Sequence, residues 1–419
     1  PHHEKEGSFY TIKQLWSPVQ IMNTSVDKQF DGKFSVENRY DFLNLNTCRF
    51  LWKQVKFPTA TDASNTTAQV LKQGEVQGSD VAAHSAGVLD IKTTILPDAD
   101  ALFLTAIDRY GHELWRWTFP VNKLNQANEV LSPLSNKVTS TETENELTVK
   151  AKNHTFIFSK KDGQLKGVSV NNRKISFANG PRFIGARRAD RSLDQFYNHD
   201  DEKAKEKDRT YSEFPDAAVF TKLDVKEDGG NLIVTADYKL GNLDKVQWTI
   251  NPNGEAVLDY TYNFSGVVDL MGICFDYPED QVISKRWLGA GPYRVWQNRI
   301  HGTQYDVWEN DYNDPIPGET FTYPEFKGYF GSVSWMNIRT KEGTISLTNE
   351  TPDAYIGVYQ PRDGRDRLLY TLPESGISVL NVIPPVRNKV NSTDLCGPSS
   401  QPKWVNGPQS GRIIFRFME

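Results

Sequence analysis

Cysteine is scarce: Cys48, Cys274 and Cys396 are the 3 in 419 residues. Three scattered thiols build neither a disulfide framework nor a cysteine-based zinc site, and an odd count leaves at least one free. Burial as a small hydrophobe is the plainest role for each. The 7 histidines are dispersed, His2 and His3 stand at the terminus, and His-Glu-x-x-His does not occur. A Gly-x-Ser-x-Gly elbow is lacking. Gly289-Ala290-Gly291-Pro292 has the wrong continuation for a dinucleotide fingerprint and follows no βαβ pattern. No metal and no cofactor is expected.

Long apolar runs are missing too. No stretch of about eighteen apolar residues exists, which excludes a spanning helix. Neither sign of charge dominates, since 48 Lys and Arg face 53 Asp and Glu for a net charge of −5. Nothing electrostatic therefore points to nucleic acid or an anionic membrane. The opening Pro1-His2-His3-Glu4 has no Met and no basic-then-apolar leader pattern, and reads as a cut inside something longer. Localisation stays open, a periplasmic or secreted bacterial setting being favoured over the cytoplasm. The Asn-x-Ser/Thr triplets at Asn23, Asn65, Asn153, Asn263, Asn349 and Asn391 matter only in a secreted eukaryotic protein.

What the chain has in abundance is aromatic surface, 10 Trp, 17 Tyr and 22 Phe, enough to bury a sizeable core. Its periodicity is of the two-residue kind. Phe34, Val36, Tyr40 and Phe42 alternate with Ser35, Glu37, Arg39 and Asp41, which predicts a half-buried strand. Leu89, Ile91 and Ile95 behave likewise, as do Leu232, Val234, Ala236, Tyr238 and Leu240. Val246, Trp248 and Ile250 lead into Asn251-Pro252-Asn253-Gly254, and Ala256, Leu258, Tyr260, Tyr262 and Phe264 return, a predicted hairpin. Ile345 with Leu347, and Ile413, Phe415 and Phe417, supply late strands. Helical periodicity is almost missing; Asp200 to Arg209 is a solvated loop or a short surface helix.

The chain is thus all-β, and its short strands ended by Gly and Pro indicate sandwiches rather than a repeat array. Between Asn122 and Glu146 strand patterning dies in an Asn-, Ser-, Thr-, Lys- and Glu-rich seam. Residues 1–127 then form a first domain of immunoglobulin-like size, 128–145 a linker, and 146–419 a second domain large for one sandwich.

The chemistry-bearing stretch is Trp287-Leu-Gly-Ala-Gly-Pro-Tyr-Arg-Val-Trp-Gln-Asn-Arg299, followed by Tyr305-Asp-Val-Trp308 and Tyr323-Pro-Glu-Phe-Lys-Gly328. Trp and Tyr beside Arg, Asn, Asp and Glu suit a carbohydrate, with ring faces on C–H bonds and polar tips on hydroxyls. Aromatic residues of a β-sandwich core give the same composition, and Trp287, Trp308 and Trp335 are assigned there. Carboxylates are plentiful, but sequence cannot pair them across a cleft.

These segments resemble the last domain of family 2 glycoside hydrolases of the β-galactosidase type. That domain carries Gly-x-Gly-Pro…Tyr-x-Asp-Arg and, later, Pro-x-Glu-Asn-Gly. Phe156 to Leu165 is similar to the domain's opening, and Asn179-Gly-Pro-Arg-Phe183 with Arg187-Arg-Ala-Asp190 to the loop after it. Phe9 to Ile21 looks like the exit from the catalytic barrel. Val36 to Leu45, Phe50-Leu-Trp52 and Leu104 to Trp117 look like the immunoglobulin-like domain that follows. The match runs in the family's order from about residue 9 to 419.

The resemblance implies an immunoglobulin-like β-sandwich followed by a larger galactose-mutarotase-like β-supersandwich. It implies as partners a β-glycoside or oligosaccharide and a catalytic (β/α)₈ barrel of the same full-length chain. The two catalytic Glu of such a retaining enzyme lie on the barrel, which needs about 250 residues of alternating strand and helix. No catalytic residue is therefore assigned in this chain, and its role becomes shaping the sugar entrance. Departures from the family pattern put lactose-like specificity in doubt: Trp296 and Asn298 replace its Tyr and Asp, Pro324-Glu325-Phe326-Lys327-Gly328 loses the Glu-Asn pair, and Val379 replaces a stacking Trp.

Candidate substrate-binding residues are Arg187, Arg188 and Asp190, either cleft contacts or an internal salt-bridge cluster, and Glu325 and Lys327, either cleft contacts or an exposed turn. Arg299 is assigned to holding the Gly-Pro loop. Two other functions stay open: a stand-alone carbohydrate-binding module, and a mutarotase-like epimerase drawing on His154, His199 or His301. An oligomer is compatible with either.

Overall fold

The structure is a computed structural model that describes residues 5, 7–62, 67–121, 137–188, 211–311, 328–358, 373, 375–386 and 397–419. Among these residues one α-helix, Gly7–Leu15, stands against antiparallel sheets. The all-β expectation holds. Asp200 to Arg209 lie outside the described residues.

Two compact units form, the first from Pro1–Gln126 with Leu288–Tyr293 and His301–Trp308. It contains a 3-stranded sheet, Val19–Ile21, Lys33–Asn38 and Ser85–Asp90, and a 4-stranded sheet in the order Gln69–Gln77, Arg49–Lys56, Ala101–Ile107, Glu113–Pro120. Alternation buries Phe34, Val36 and Leu89 from one sheet and Phe50, Trp52, Leu102, Leu104 and Phe119 from the other in a single core. Phe34 and Phe119 meet with ring centres 5.1 Å apart. Two sheets sharing one core make a β-sandwich.

The strand expected to run through Tyr40 and Phe42 stops at Asn38. The buried Asn38 amide donates to Leu43 O and Val81 O and its side-chain oxygen accepts from Tyr40 N. These bonds turn the chain, and Phe42 is left 95% exposed. A polar side chain bonding nearby backbone offers an alternative to the ladder, which alternation cannot reveal.

The second unit comprises Ala127–Trp287, Arg294–Ile300 and Glu309–Glu419. One sheet runs Tyr355–Val358, Ile377–Val382, Leu270–Asp276, Ala178–Arg188, Leu165–Val170, His154–Ser159, Glu146–Ala151, Thr139–Glu142, with Arg173–Ile175 and Tyr211–Glu213 paired at its flanks. The other runs Val219–Asp228, Asn231–Lys239, Leu243–Ile250, Ala256–Val268, Lys403–Met418, Gly343–Asn349, Trp335–Thr340 and then the strand that begins at Val282. Thr139–Glu142 falls inside the stretch expected to be linker; all of it is exposed, so no apolar face announced it.

The predicted hairpin forms in register, Ile250 opposite Ala256. Asn251 Oδ1 accepts from Asn253 N and Glu255 N, and Gly254 takes φ +86°, a conformation that favours glycine. Between the facing sheets lies an aromatic core: Phe177 meets Phe275 at 4.5 Å and Phe415 at 5.2 Å, and Phe183 meets Tyr262 at 5.3 Å. Such pairs contribute about 0.5–1.5 kcal/mol each beyond their burial. Cys48 and Cys274 are buried and free, and burial pushes the Cys274 thiol up to about 11. Cys396 lies outside the described residues.

Candidate functional site

Side chains alternate across a strand, so Ala178–Arg188 builds two surfaces at once. Phe183 enters the aromatic core. Ile184 and Ala186, on the opposite face, form a separate apolar cluster with Leu270, Leu380, Val295, Trp296 and Tyr329. The motif segment around Trp296 is therefore the cover of one sheet face. Val295 and Tyr329 exchange both backbone hydrogen bonds, at 2.8 and 3.0 Å. Asn298 Nδ2 donates to Val386 O and to Ser400 Oγ, while its Oδ1 accepts from Val386 N. Gln297 Nε2 donates to Ser399 O and Gln401 O. The departure from Asp to Asn thus gains two donated bonds that a carboxylate could not make.

Cationic groups surround the rings next to this cover. The Arg294 guanidinium lies 4.8 Å from the centre of Phe330, and Lys285 Nζ lies 5.8 Å from it. Both cations are buried, and Phe330 meets Trp287 edge-on at 4.9 Å. Arg286 stands 5.4 Å over Trp335. A ring face attracts a cation through its quadrupole, more strongly when water is excluded.

Trp287 and Trp335 are core residues as expected. Trp308 is not: it is half-buried and its Nε1 donates to Gly289 O and Gln304 O. Arg299 does not hold the Gly-Pro loop, since its side chain is exposed and its backbone closes a turn onto Trp296. Of the candidate contacts, Arg187 is half-buried opposite Ser212 and by alternation shares the sheet face of Phe183. Arg188 follows it opposite Tyr211. Asp190, Glu325 and Lys327 lie outside the described residues.

His154 lies in the buried core of the second unit. Its Nε2 donates to Phe417 O at 2.8 Å, and a Cβ on Gly254 would lie 2.1 Å from its Nδ1. Burial holds its pKa below the usual histidine value. A ring enclosed by backbone and by Gly254 has no approach for a sugar, so His154 is no epimerase acid. His301 belongs to the first unit and is exposed; His199 lies outside the described residues.

Sequence reasoning missed a cleft of about 400 Å³ on the outer face of the larger unit's second sheet. Strand register lines up two polar rows across three strands: Gln247, Asp259 and Arg412, and beside them Lys245, Thr261 and Ser410. Glu350-Thr351-Pro352 forms the wall. Thr351 Oγ1 accepts from Arg412 N and donates to Arg412 O, fixing that wall to the strand. Arg412 Nη1 reaches both Asp259 oxygens at 2.9 Å and its Nε reaches Glu350 at 3.1 Å. The hairpin pattern could have paired Gln247 with Asp259. Nothing in the sequence announces that the last strand supplies the third member.

The family of the β-galactosidase small chain matches residues 150–382, more than half of the chain. The chain belongs to that family. Resemblance of the segments from Phe156 through Val382 to the β-galactosidase type is thereby borne out. No curated protein matches this small-chain member.

Similar solved structures include galactose 1-epimerase from Lactobacillus acidophilus, 9% identical, covering 67% of this chain and 98% of that one with TM-score 0.34. An aldose epimerase homologue from C. elegans is 7% identical and covers 67% of this chain and 99% of that one, again with TM-score 0.34. A copper-containing benzylamine oxidase from Hansenula polymorpha is 8% identical, covering 89% and 77%, with TM-score 0.28. Likenesses this distant carry no argument about this chain's chemistry.

Proposed function

We propose that the chain is the non-catalytic C-terminal part of a β-galactosidase-type glycosidase, and that it supports and shapes the substrate entrance of a catalytic barrel supplied by the same full-length protein. The observation that carries this is the small-chain match over residues 150–382, joined to the order of the flanking segments. The aromatic and cationic cluster around Trp296 and Phe330 is buried, and Val295 pairs with Tyr329 through two backbone hydrogen bonds, which supports a structural, supporting role rather than direct stacking on a sugar. The chain's partner is a β-glycoside or oligosaccharide, held while the barrel's carboxylates do the chemistry.

Two measurements test the proposal. The isolated chain is expected to leave nitrophenyl β-glycosides unhydrolysed, and turnover that persists through purification overturns the assignment of chemistry elsewhere. The reading frame upstream of Pro1 is expected to encode alternating strand and helix with an Asn-Glu pair; a frame without that pattern removes the barrel.

A further inference from the structure

The geometry points to a second saccharide site, on the outer face of the Leu243–Ile250, Ala256–Val268 and Lys403–Met418 strands, independent of any barrel. Its volume of about 400 Å³ falls within the range of roughly 300–1,000 Å³ found for small-ligand sites. Its chemistry selects among ligands. Arg412 is already shared by Asp259 and Glu350, and Lys245 offsets the remaining carboxylate charge. Asp244, which accepts from Thr261 Oγ1, adds a further negative charge beside the row, so neither a phosphate nor an acidic sugar gains from steering.

Hydrogen-bonding capacity, in contrast, is dense and of both kinds. Gln247 and Ser410 each donate and accept, Thr261 accepts while its own hydroxyl donates to Asp244 Oδ2 at 3.3 Å, Lys245 donates, and the carboxylates accept. Neighbouring strands space these groups by about 4.8 Å, a reach suited to alternate hydroxyls along a pyranose. A neutral polyol, each hydroxyl of which also donates and accepts, is the ligand that such an array satisfies.

Titration calorimetry of the whole chain with a neutral β-1,4-linked galacto-oligosaccharide tests the site, with an oligogalacturonide as the charged counterpart. Expected is binding of the neutral probe in the millimolar range, weakened about tenfold by Gln247→Ala and severalfold by Lys245→Met without loss of thermal stability. Ser410→Trp, an exposed position, fills the cleft and abolishes binding. If that variant does not fold, the other two decide. The proposal is overturned by no heat at about 10 mM probe, by unchanged affinity in Gln247→Ala and Lys245→Met, or by tighter binding of the oligogalacturonide. Turnover of nitrophenyl glycosides bears only on the barrel reading, so the two proposals fail separately.

Discussion

Replacing Glu255 by alanine strips a buried guanidinium of its counter-ion. Arg416 and Glu255 are in direct contact through Nε and Oε1, with side chains only 9% and 13% exposed. Arg416 Nη1 also donates to Thr348 Oγ1, and Asn251 Nδ2 donates to Glu255 Oε2. The pair therefore ties the Asn251–Gly254 turn to the last strand and, through Thr348, to the strand beyond it. Removing one partner of such a pair costs about 3–5 kcal/mol, because the other charge is left uncompensated away from water. For a unit of this size that corresponds to a fall in Tm of order 10 °C. Replacing both, as Glu255→Leu with Arg416→Met, is expected to be near neutral, since an apolar pair of similar volume avoids the desolvation altogether. Denaturant unfolding of the two single variants and the double variant closes the cycle. A Glu255→Ala cost below about 1 kcal/mol, the value of an exposed pair, would refute the reasoning.

Two further outcomes follow from the same unit. The folded pKa of His154 is depressed by burial, so the unfolded chain binds the extra proton as pH falls below the ordinary value of 6.5. Stability is therefore complete above that value and declines as pH drops from it toward the folded pKa. His154→Gln removes that part of the slope, and identical slopes in unfolding free energy between pH 7.5 and 5.5 would contradict it. Asn298→Asp, which restores the family's residue, forfeits the bonds donated to Val386 O and Ser400 Oγ and sets a carboxylate against a carbonyl. A loss of about 1–3 kcal/mol is expected in urea unfolding, and equal stability would show that this pin is dispensable.

How far the sequence reached can be seen strand by strand. Leu232 to Lys239 and the Val246–Phe264 hairpin were legible because alternation and an Asn-Gly turn are local signals. Thr139–Glu142 was not, since a strand with both faces in water has no apolar period to read. Phe42 misled for the opposite reason: alternation continued after Asn38 had already turned the backbone. Trp287 and Trp335 were placed correctly from composition. Trp308 differs from them in being half-buried, with its indole donating to the carbonyls of Gly289 and Gln304.

By itself the sequence determined the class of the fold, the hairpin and the family, because period, turn chemistry and ordered motifs are properties of neighbouring residues. Only the tertiary structure decided which residues share a place. Arg412 stands beside Asp259 because the last strand lies against Ala256–Val268. Asn298 became a fastener because Val386 and Ser400 were folded under it. The enclosure of His154 by Phe417 and Gly254 took it out of reach of any substrate. Each of these depends on contacts between residues distant along the chain, which hydrophobic burial brings together and which no local pattern records.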